Sequence, residues 1–181
     1  MLVQLGPRQP SEDVVDLLRD CHARIRRFLV QARQLAEAAE PPGVDPAEVR
    51  VVAGQIRRYF IEAFPLHLAD EDEQIAPRLA GASPDVDRAL ALMAGGHASH
   101  CSLVARLVAI CASLEEDPRR LAVASIELAR VAALLATELE AHLELEERAI
   151  FPALRRLPEQ VREAIHGAIR ARRARPAPAA S

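Results

Sequence analysis

The chain has few aromatic residues and no lysine. Aromatic residues make up 3% of its 181 residues, although 50% of the residues are hydrophobic. The core must therefore be aliphatic, which favours packing of helix against helix, and the length predicts a single domain. All 23 basic residues are arginine and the formal net charge is −3. The chain has no excess of positive charge, so its composition does not indicate binding to nucleic acid or to a membrane surface.

Disulfide patterns and membrane segments are also missing from the sequence. The three cysteines, Cys21, Cys101 and Cys111, have no C-x-x-C spacing, so no disulfide framework is predicted. No basic-then-apolar signal segment opens the chain, and the longest apolar stretch, residues 121–139, is interrupted by charged side chains. We therefore expect a soluble cytoplasmic protein.

One motif occurs twice in the chain. Both copies read H-x-x-x-E-x-x-x-I-x-P-x-L, the first beginning at His67 and the second at His142. Residues four apart share one face of an α-helix, so Glu71 is expected beside His67 and Glu146 beside His142. An imidazole and a carboxylate on the same face are suitable ligands for a first-row metal such as iron or zinc.

The motif is part of a longer repeat. His22 precedes His67 by 45 residues (67 − 22), and His97 precedes His142 by the same interval (142 − 97). The repeat of about 75 residues is too long for a solenoid unit. It suits two αα-hairpins that close on one another as a four-helix bundle, so we predict an all-α fold.

Capping residues and prolines divide the chain into a flexible lead-in (1–10), a four-helix bundle (11–156), a short C-terminal helix (157–172) and a disordered tail (173–181). Ser11 is expected to cap the first helix. Pro65 should bend the second helix just before His67, either as a tolerated bend or as one that aims the imidazole. Gly95 and Gly96 each cost roughly 1 kcal/mol in the third helix, which indicates close packing or a local opening, unless they are simply tolerated.

Taken singly, these residues have simpler interpretations: a lone helical histidine is usually structural, and one H-x-x-x-E pair is usually solvated. Those interpretations do not explain four histidines and two glutamates at identical intervals. Two carboxylates pointing inward would repel each other and lose their hydration without a cation. Six side chains suit two metal ions, each with two imidazoles, and Glu71 and Glu146 could bridge them; this set favours iron over zinc.

The ordered set of motifs resembles the hemerythrin-like (HHE cation-binding) family over roughly residues 11–156. The resemblance implies an up-down-up-down bundle around an oxo- or hydroxo-bridged pair of iron ions. The same ligands could also hold manganese or zinc. It also implies binding of O2, NO or peroxide-derived species, and some relatives act in iron sensing or in repair of iron centres. The residues implied as imidazole ligands are His22, His67, His97 and His142, and those implied as bridging carboxylates are Glu71 and Glu146.

Two positions depart from the oxygen-carrying members of that family. Those members have H-x-x-x-H on the third helix, whereas the residue four after His97 is Cys101. They usually end with an aspartate five residues after the last histidine, a position held here by Glu147. The loss of one histidine would leave the iron more open, which favours reactivity or sensing over reversible oxygen carriage.

Three kinds of neighbouring residue are further candidates. His100 lies three after His97 and is a candidate fifth imidazole, although Ile25 holds the equivalent place in the first half. Cys101 is expected to be a small buried residue, with an NO-reactive thiol near the iron as the alternative. Nearby acids are expected to be solvated, or in two cases to hold the outer nitrogen of a ligating imidazole. They are Asp70, Asp72, Glu73, Glu144 and Glu147.

The leading hypothesis is a di-iron protein that binds O2 or NO in sensing, storage or the response to oxidative and nitrosative stress. One alternative is a di-iron enzyme that decomposes peroxide, reduces NO, oxidises ferrous iron or repairs iron centres. Another is a metal-free helical bundle that binds other proteins. The expected partner is a diatomic molecule or peroxide, with neither nucleic acid nor membrane, and the sequence indicates no particular protein partner.

Overall fold

The computed structural model describes residues 13–39 and 44–174, and within these ranges the chain forms five helices and no strand. The all-α prediction is thereby confirmed. We number the helices α1 to α5, and their bounds are Val14–Glu37 for α1, residues 46–79 for α2, Pro84–Glu116 for α3, residues 121–156 for α4 and Glu159–Ala174 for α5.

Helices α1 to α4 close into a bundle. Helix α1 packs on α2 and α4, and α3 packs on the same two neighbours. The short connections 80–83 and 117–120 make successive helices run in opposite directions, as an up-down-up-down bundle requires. The fifth helix packs across α1 and the second half of α2.

Side-chain caps begin three of the helices. The side chain of Asp45 accepts a hydrogen bond from the amide of Ala47 at the start of α2, and that of Ser83 accepts one from the amide of Val86 in α3. At α1 the capping side chain in the described part of the chain is Asp13. Ser11, the expected cap, lies outside the described residues, as do the lead-in 1–10 and residues 40–43.

The C-terminal helix is longer than predicted. It reaches Ala174, so residues 173 and 174, which the sequence assigned to the tail, are helical. Burial explains the extension. Ile165 and Ile169 lie on the buried face of α5, and Arg172 and Arg173, one turn later, lie on the same face. Residues 175–181 lie outside the described residues.

Three wide π-helical turns interrupt α2 and α4 in the part of the chain described. They cover Tyr59–Ala63, Glu71–Ile75 and Glu146–Ile150. Each is followed by a proline at the second position of the next α-helical segment, namely Pro65, Pro77 and Pro152. A proline ring presses on the preceding turn and donates no hydrogen bond, so a widened turn relieves the clash. The distortion expected at Pro65 takes this form.

A buried polar layer divides the core in two. One apolar cluster lies on the side of Leu29, Phe60, Leu107 and Leu135, and the other contains Leu18, Met93 and Phe151 together with the buried face of α5. In each bundle helix the buried polar residues lie where the chain passes from one cluster to the other. The buried polar residues are His22, His67, Asp70, Glu71, His97, His100, His142 and Glu146.

One helix among the described residues, α3, is long and apolar enough to cross a membrane by length and composition alone. Its buried residues include His97 and His100, and it packs on α2 and α4. These contacts are those of a bundle helix.

Candidate metal centre

All six residues that the repeat singled out meet in the polar layer. The imidazoles of His22, His67, His97 and His142 and the carboxylates of Glu71 and Glu146 are each at most 7% exposed. Helices α1 and α3 contribute one histidine each, and α2 and α4 contribute a histidine and a glutamate each. The distribution over the helices is that predicted from the sequence.

The six side chains form two overlapping groups. The first cluster contains His22 and His67 with both glutamates, and the second cluster contains His97 and His142 with the same two glutamates. Within each cluster, one ligand atom from every member lies within 4.8 Å of the others. Glu71 and Glu146 are therefore common to both clusters.

Each glutamate directs one oxygen to each pair of imidazoles. The two oxygens of Glu71 lie 3.2 Å from Nε2 of His67 and 3.1 Å from Nε2 of His97. Those of Glu146 lie 3.0 Å from Nε2 of His22 and 2.6 Å from Nε2 of His142. This is the arrangement needed for a carboxylate that bridges two ions.

The atoms that face one another across the clusters have no hydrogen-bond partner among the described residues. They are Nε2 of all four histidines, Oε2 of Glu71 and both carboxylate oxygens of Glu146. Buried polar atoms are rarely left unsatisfied, and each one costs roughly 1–3 kcal/mol. Imidazole nitrogens and carboxylate oxygens would all be satisfied by cations between them, so the residues fit a pair of metal ions.

The electrostatics of the clusters also favours a cation. Burial and the charge of Glu146 raise the pKa of Glu71 well above its usual value. Burial also acts to raise the pKa of Glu146, but its contacts with His142 and His22 outweigh this and lower it. A positive charge between the two carboxylates would allow both to ionise.

Two of the four histidines, His67 and His97, are neutral near pH 7. Burial lowers the pKa of His67 to about 3, against the opposing attraction of Glu146. Burial likewise lowers the pKa of His97, although Asp72 opposes the shift. These two imidazoles are therefore neutral near pH 7, which is the form that binds a metal.

Two of the imidazoles are held from behind by carboxylates. Nδ1 of His22 lies 2.8 Å from Oε1 of Glu147, and Nδ1 of His97 lies 3.1 Å from Oδ1 of Asp72. When Nδ1 donates to the carboxylate, the lone pair of Nε2 points into the cluster. Two of the five nearby acids thus hold an outer nitrogen, as the sequence predicted.

Histidine 100 lies beside the second cluster and outside it. Its ring is buried and stands at 90° to the ring of His142, with the centroids 5.0 Å apart. It belongs to neither group of mutually close ligand atoms in the described chain. The geometry therefore does not bring this candidate fifth imidazole into the centre.

The expectation that Cys101 is buried is wrong. The residue is exposed, and its thiol lies 3.3 Å from the carbonyl oxygen of His97 on its own helix. The inward stripe of α3 runs through His97 and His100, and the next residue lies about 100° further around the helix. Cys101 therefore points away from both clusters.

The sequence missed a charged contact behind the first cluster. Asp70 was expected to be solvated or to hold the outer nitrogen of an imidazole, but it is fully buried, and Nη2 of Arg173 donates to its Oδ2 at 2.6 Å. Nη1 of Arg173 also lies 3.2 Å from Sγ of Cys21. The available signal was the spacing of Ile165, Ile169 and residues 172–173, which continues one face of a helix.

Comparisons with known proteins agree with this geometry. The family model described as hemerythrin HHE cation binding domain matches residues 13–154, which is most of the chain. An uncharacterized protein of Haemophilus influenzae is 32% identical over 88 residues. That match covers 48% of this chain and 51% of the relative, so the chain spans about half the length of this relative.

Proposed function

We propose that this chain, which belongs to the hemerythrin HHE cation-binding domain family, holds a pair of iron ions and binds O2 or NO. One ion would lie between His22 and His67, and the other between His97 and His142. The observation that carries the proposal is the orientation of the glutamates, because each gives one oxygen to each pair of imidazoles.

The donor set leaves room for a small ligand. Each ion would receive two imidazole nitrogens and two carboxylate oxygens, whereas iron commonly takes about six ligands, so open positions are left. When bound, the iron pair supplies reversible binding of a diatomic molecule and exchange of electrons with it. The chain contributes neutral imidazoles, two bridging carboxylates and apolar clusters on both sides that limit access of water.

We assign the protein to sensing, storage or the response to oxidative and nitrosative stress in the cytoplasm. The third helix supports ligand binding at a reactive centre over simple oxygen carriage. Cys101 is exposed and His100 lies outside the second cluster, so that cluster has two imidazoles in the described chain. An ion with fewer protein ligands has more positions for exogenous molecules.

The same opening supports a second candidate, a di-iron enzyme that decomposes peroxide, reduces NO, oxidises ferrous iron or repairs iron centres. Turnover separates the two functions. A binding protein consumes about one equivalent of ligand per centre and stops, whereas an enzyme continues while substrate and reductant last.

The test begins with metal content. Metal-free protein is incubated anaerobically with ferrous iron, desalted and analysed for metal, and its absorption spectrum is recorded before and after exposure to O2 or NO. About two ions per chain and a new near-ultraviolet band are expected. Parallel incubations with manganese and zinc identify which metal the centre retains.

Two variants and one control complete the test. Glu71→Ala and Glu146→Ala should lose both the metal and the band, because each removes an oxygen from both clusters. Glu144→Ala is the matched control and should behave as the parent protein, because Glu144 is a half-exposed acid on α4 that pairs with Arg148. Full metal content in both cluster variants, or less than one ion per chain in the parent, would contradict the proposal and favour a metal-free interaction bundle.

A further inference from the structure

A small cavity lies behind His67, on the side of the bundle that α5 covers. Its volume is about 50 Å³, and its walls include His67, Cys21, Arg24, Tyr59 and Arg173. A cavity needs roughly 10–15 Å³ to hold one water molecule, so this one has room for a few waters or a small polyatomic ion. Arg24 and Arg173 are half-buried, which places the cavity at the edge of the core.

The outer nitrogen of His67 has no partner. His67 is 2% exposed, and its Nδ1 is buried without a hydrogen bond to any described residue. In the same cluster, Nδ1 of His22 is bound by Glu147, and in the second cluster Nδ1 of His97 is bound by Asp72. Behind His22 and His97 a carboxylate contacts the outer nitrogen. Behind His67 the cavity lies in the corresponding place.

The polar groups around the cavity are hydrogen-bond donors. Arg24 forms no ion pair within residues 13–39 and 44–174, and its Nε is buried and unpartnered there. Arg173 carries a second positive charge, one side of which binds Asp70 while Nη1 lies against Cys21. The phenol of Tyr59 is a further donor, whereas the thiol of Cys21 already donates to the carbonyl oxygen of Leu17. No carboxylate is among the residues lining the cavity.

We infer that this cavity binds a planar monovalent oxyanion of the size of formate or nitrite, which accepts hydrogen bonds from Nδ1 of His67 and from the guanidinium of Arg24. Guanidinium groups suit such anions because their donors match two oxygens of a planar anion. The anion would do for His67 what Glu147 does for His22. It would fix the ring so that Nε2 faces the cluster and would strengthen that nitrogen as a ligand.

The effect on metal affinity depends on the proposed function, whereas the binding of the anion does not. The donors around the cavity belong to the chain itself, so both the metal-free and the iron-loaded protein should bind the anion. With iron present, saturation with the anion should tighten metal retention about tenfold, the lower end of the range for such outer contacts.

The probe is sodium formate, titrated calorimetrically into metal-free protein and, under argon, into ferrous-loaded protein. Sodium gluconate holds the ionic strength constant, because it carries the same charge and is too large for the cavity. Arg24→Gln should weaken formate binding at least tenfold in both forms, and Tyr59→Phe several-fold. Arg19→Gln removes an exposed guanidinium from the same helix and should leave formate binding unchanged.

The outcomes are distinguishable. Formate binding that is equal in the parent and in Arg24→Gln would overturn the inference, because the anion would then lie elsewhere, for example on the iron. Equal competition by chloride would overturn the assignment to a planar oxyanion, and absence of binding in both forms would overturn the site. Elemental analysis of the same samples reports separately on the iron centre. Protein that binds formate but no metal would contradict the proposed function and leave the anion site intact.

Discussion

Gly96 of α3 and His142 of α4 touch so closely that a Cβ atom at position 96 would lie 2.5 Å from Nδ1 of the imidazole. Real Cβ contacts are not this short, so a side chain at position 96 must displace the ring. Gly96→Ala should therefore lower the metal content and weaken the second cluster, because His142 can no longer reach it. Metal analysis and thermal unfolding of the metal-loaded protein measure the two effects.

The neighbouring glycine provides the control. A Cβ atom at Gly95 would meet nothing within 4 Å. Gly95→Ala should stabilise the protein by roughly 0.5–1 kcal/mol, because alanine loses less conformational freedom in a helix. Its metal content should stay at the parent level. Loss of metal in both variants would show that the requirement lies in the flexibility of the pair and not in contact with His142.

The acids behind the imidazoles should tune the affinity for metal. Glu147→Gln and Asp72→Asn keep the shape of the side chain but remove the charge that accepts from Nδ1 of His22 and His97. Each should weaken metal binding about 10–100-fold, measured by competition with a chelator. The effect should be larger for Glu147, which also binds Arg26, with Oε1 2.9 Å from Nη1 of that residue.

An amide substitution at a nearby half-exposed acid distinguishes a local effect from a general loss of charge. Glu144→Gln, three residues before Glu147, should retain the metal affinity of the parent protein. If all three amide variants weaken binding equally, the cause is the total negative charge near the centre and not the contact with a particular imidazole.

The repeat explains why so much of the centre was predictable. The four-residue spacing within each pair, His67 with Glu71 and His142 with Glu146, is set by helix geometry and predicted the faces that meet. The repeat of the pair along the chain predicted the bundle. Asp72 and Glu147, which hold the outer nitrogens, lie at the same interval (147 − 72). The spacing does not determine which imidazole each acid holds, because several acids are close enough in sequence to compete for those roles.

The parts that the sequence did not predict depend on small rotations and on contacts across long stretches of chain. Cys101 was expected to be buried because most free cysteines are, but the inward stripe of α3 follows the three-residue step from His97 to His100. The burial of Asp70 was not foreseen, because its partner, Arg173, lies about one hundred residues further along the chain. The π-helical turns beginning at Glu71 and Glu146 differ from α-helix by one hydrogen-bond register, which residue propensities do not resolve.

The contact between Asp70 and Arg173 should be worth more than an ordinary surface ion pair. Asp70 is fully buried, and burial raises the pKa of its carboxyl while the hydrogen bond from Arg173 opposes that shift. Arg173→Ala would leave this acid short of a partner and should lower the unfolding free energy by about 2 kcal/mol. This is less than the loss for a fully buried pair, because the Arg173 side chain is partly exposed.

Urea denaturation of Arg173→Ala, Arg162→Ala and the double variant Asp70→Leu with Arg173→Ala provides the measurement. Arg162 on the same helix pairs with the half-buried Asp13, and its loss should cost at most about 1 kcal/mol. The double variant should recover most of the stability, because a leucine in the buried position needs no partner. If Arg173→Ala is as stable as Arg162→Ala, then Arg172, which also lies near Asp70, is a sufficient partner for the buried carboxylate.

Histidine 100 makes the stability of the metal-free protein depend on pH. Burial lowers the pKa of its imidazole to about 4, with the charges of His142 and His97 acting in the same direction. In the unfolded chain the value is about 6.5, so below that pH the unfolded state binds a proton that the folded state does not. The contribution of His100 is therefore fully present above about pH 6.5 and is lost as the pH falls towards 4.

His100→Gln removes the group, so its unfolding free energy should rise relative to that of the parent by up to about 1.4 kcal/mol per pH unit over this window. Urea denaturation of both metal-free proteins at pH 7, 6, 5 and about 4.5 measures the difference, and a difference that stays constant with pH would contradict a buried, neutral His100.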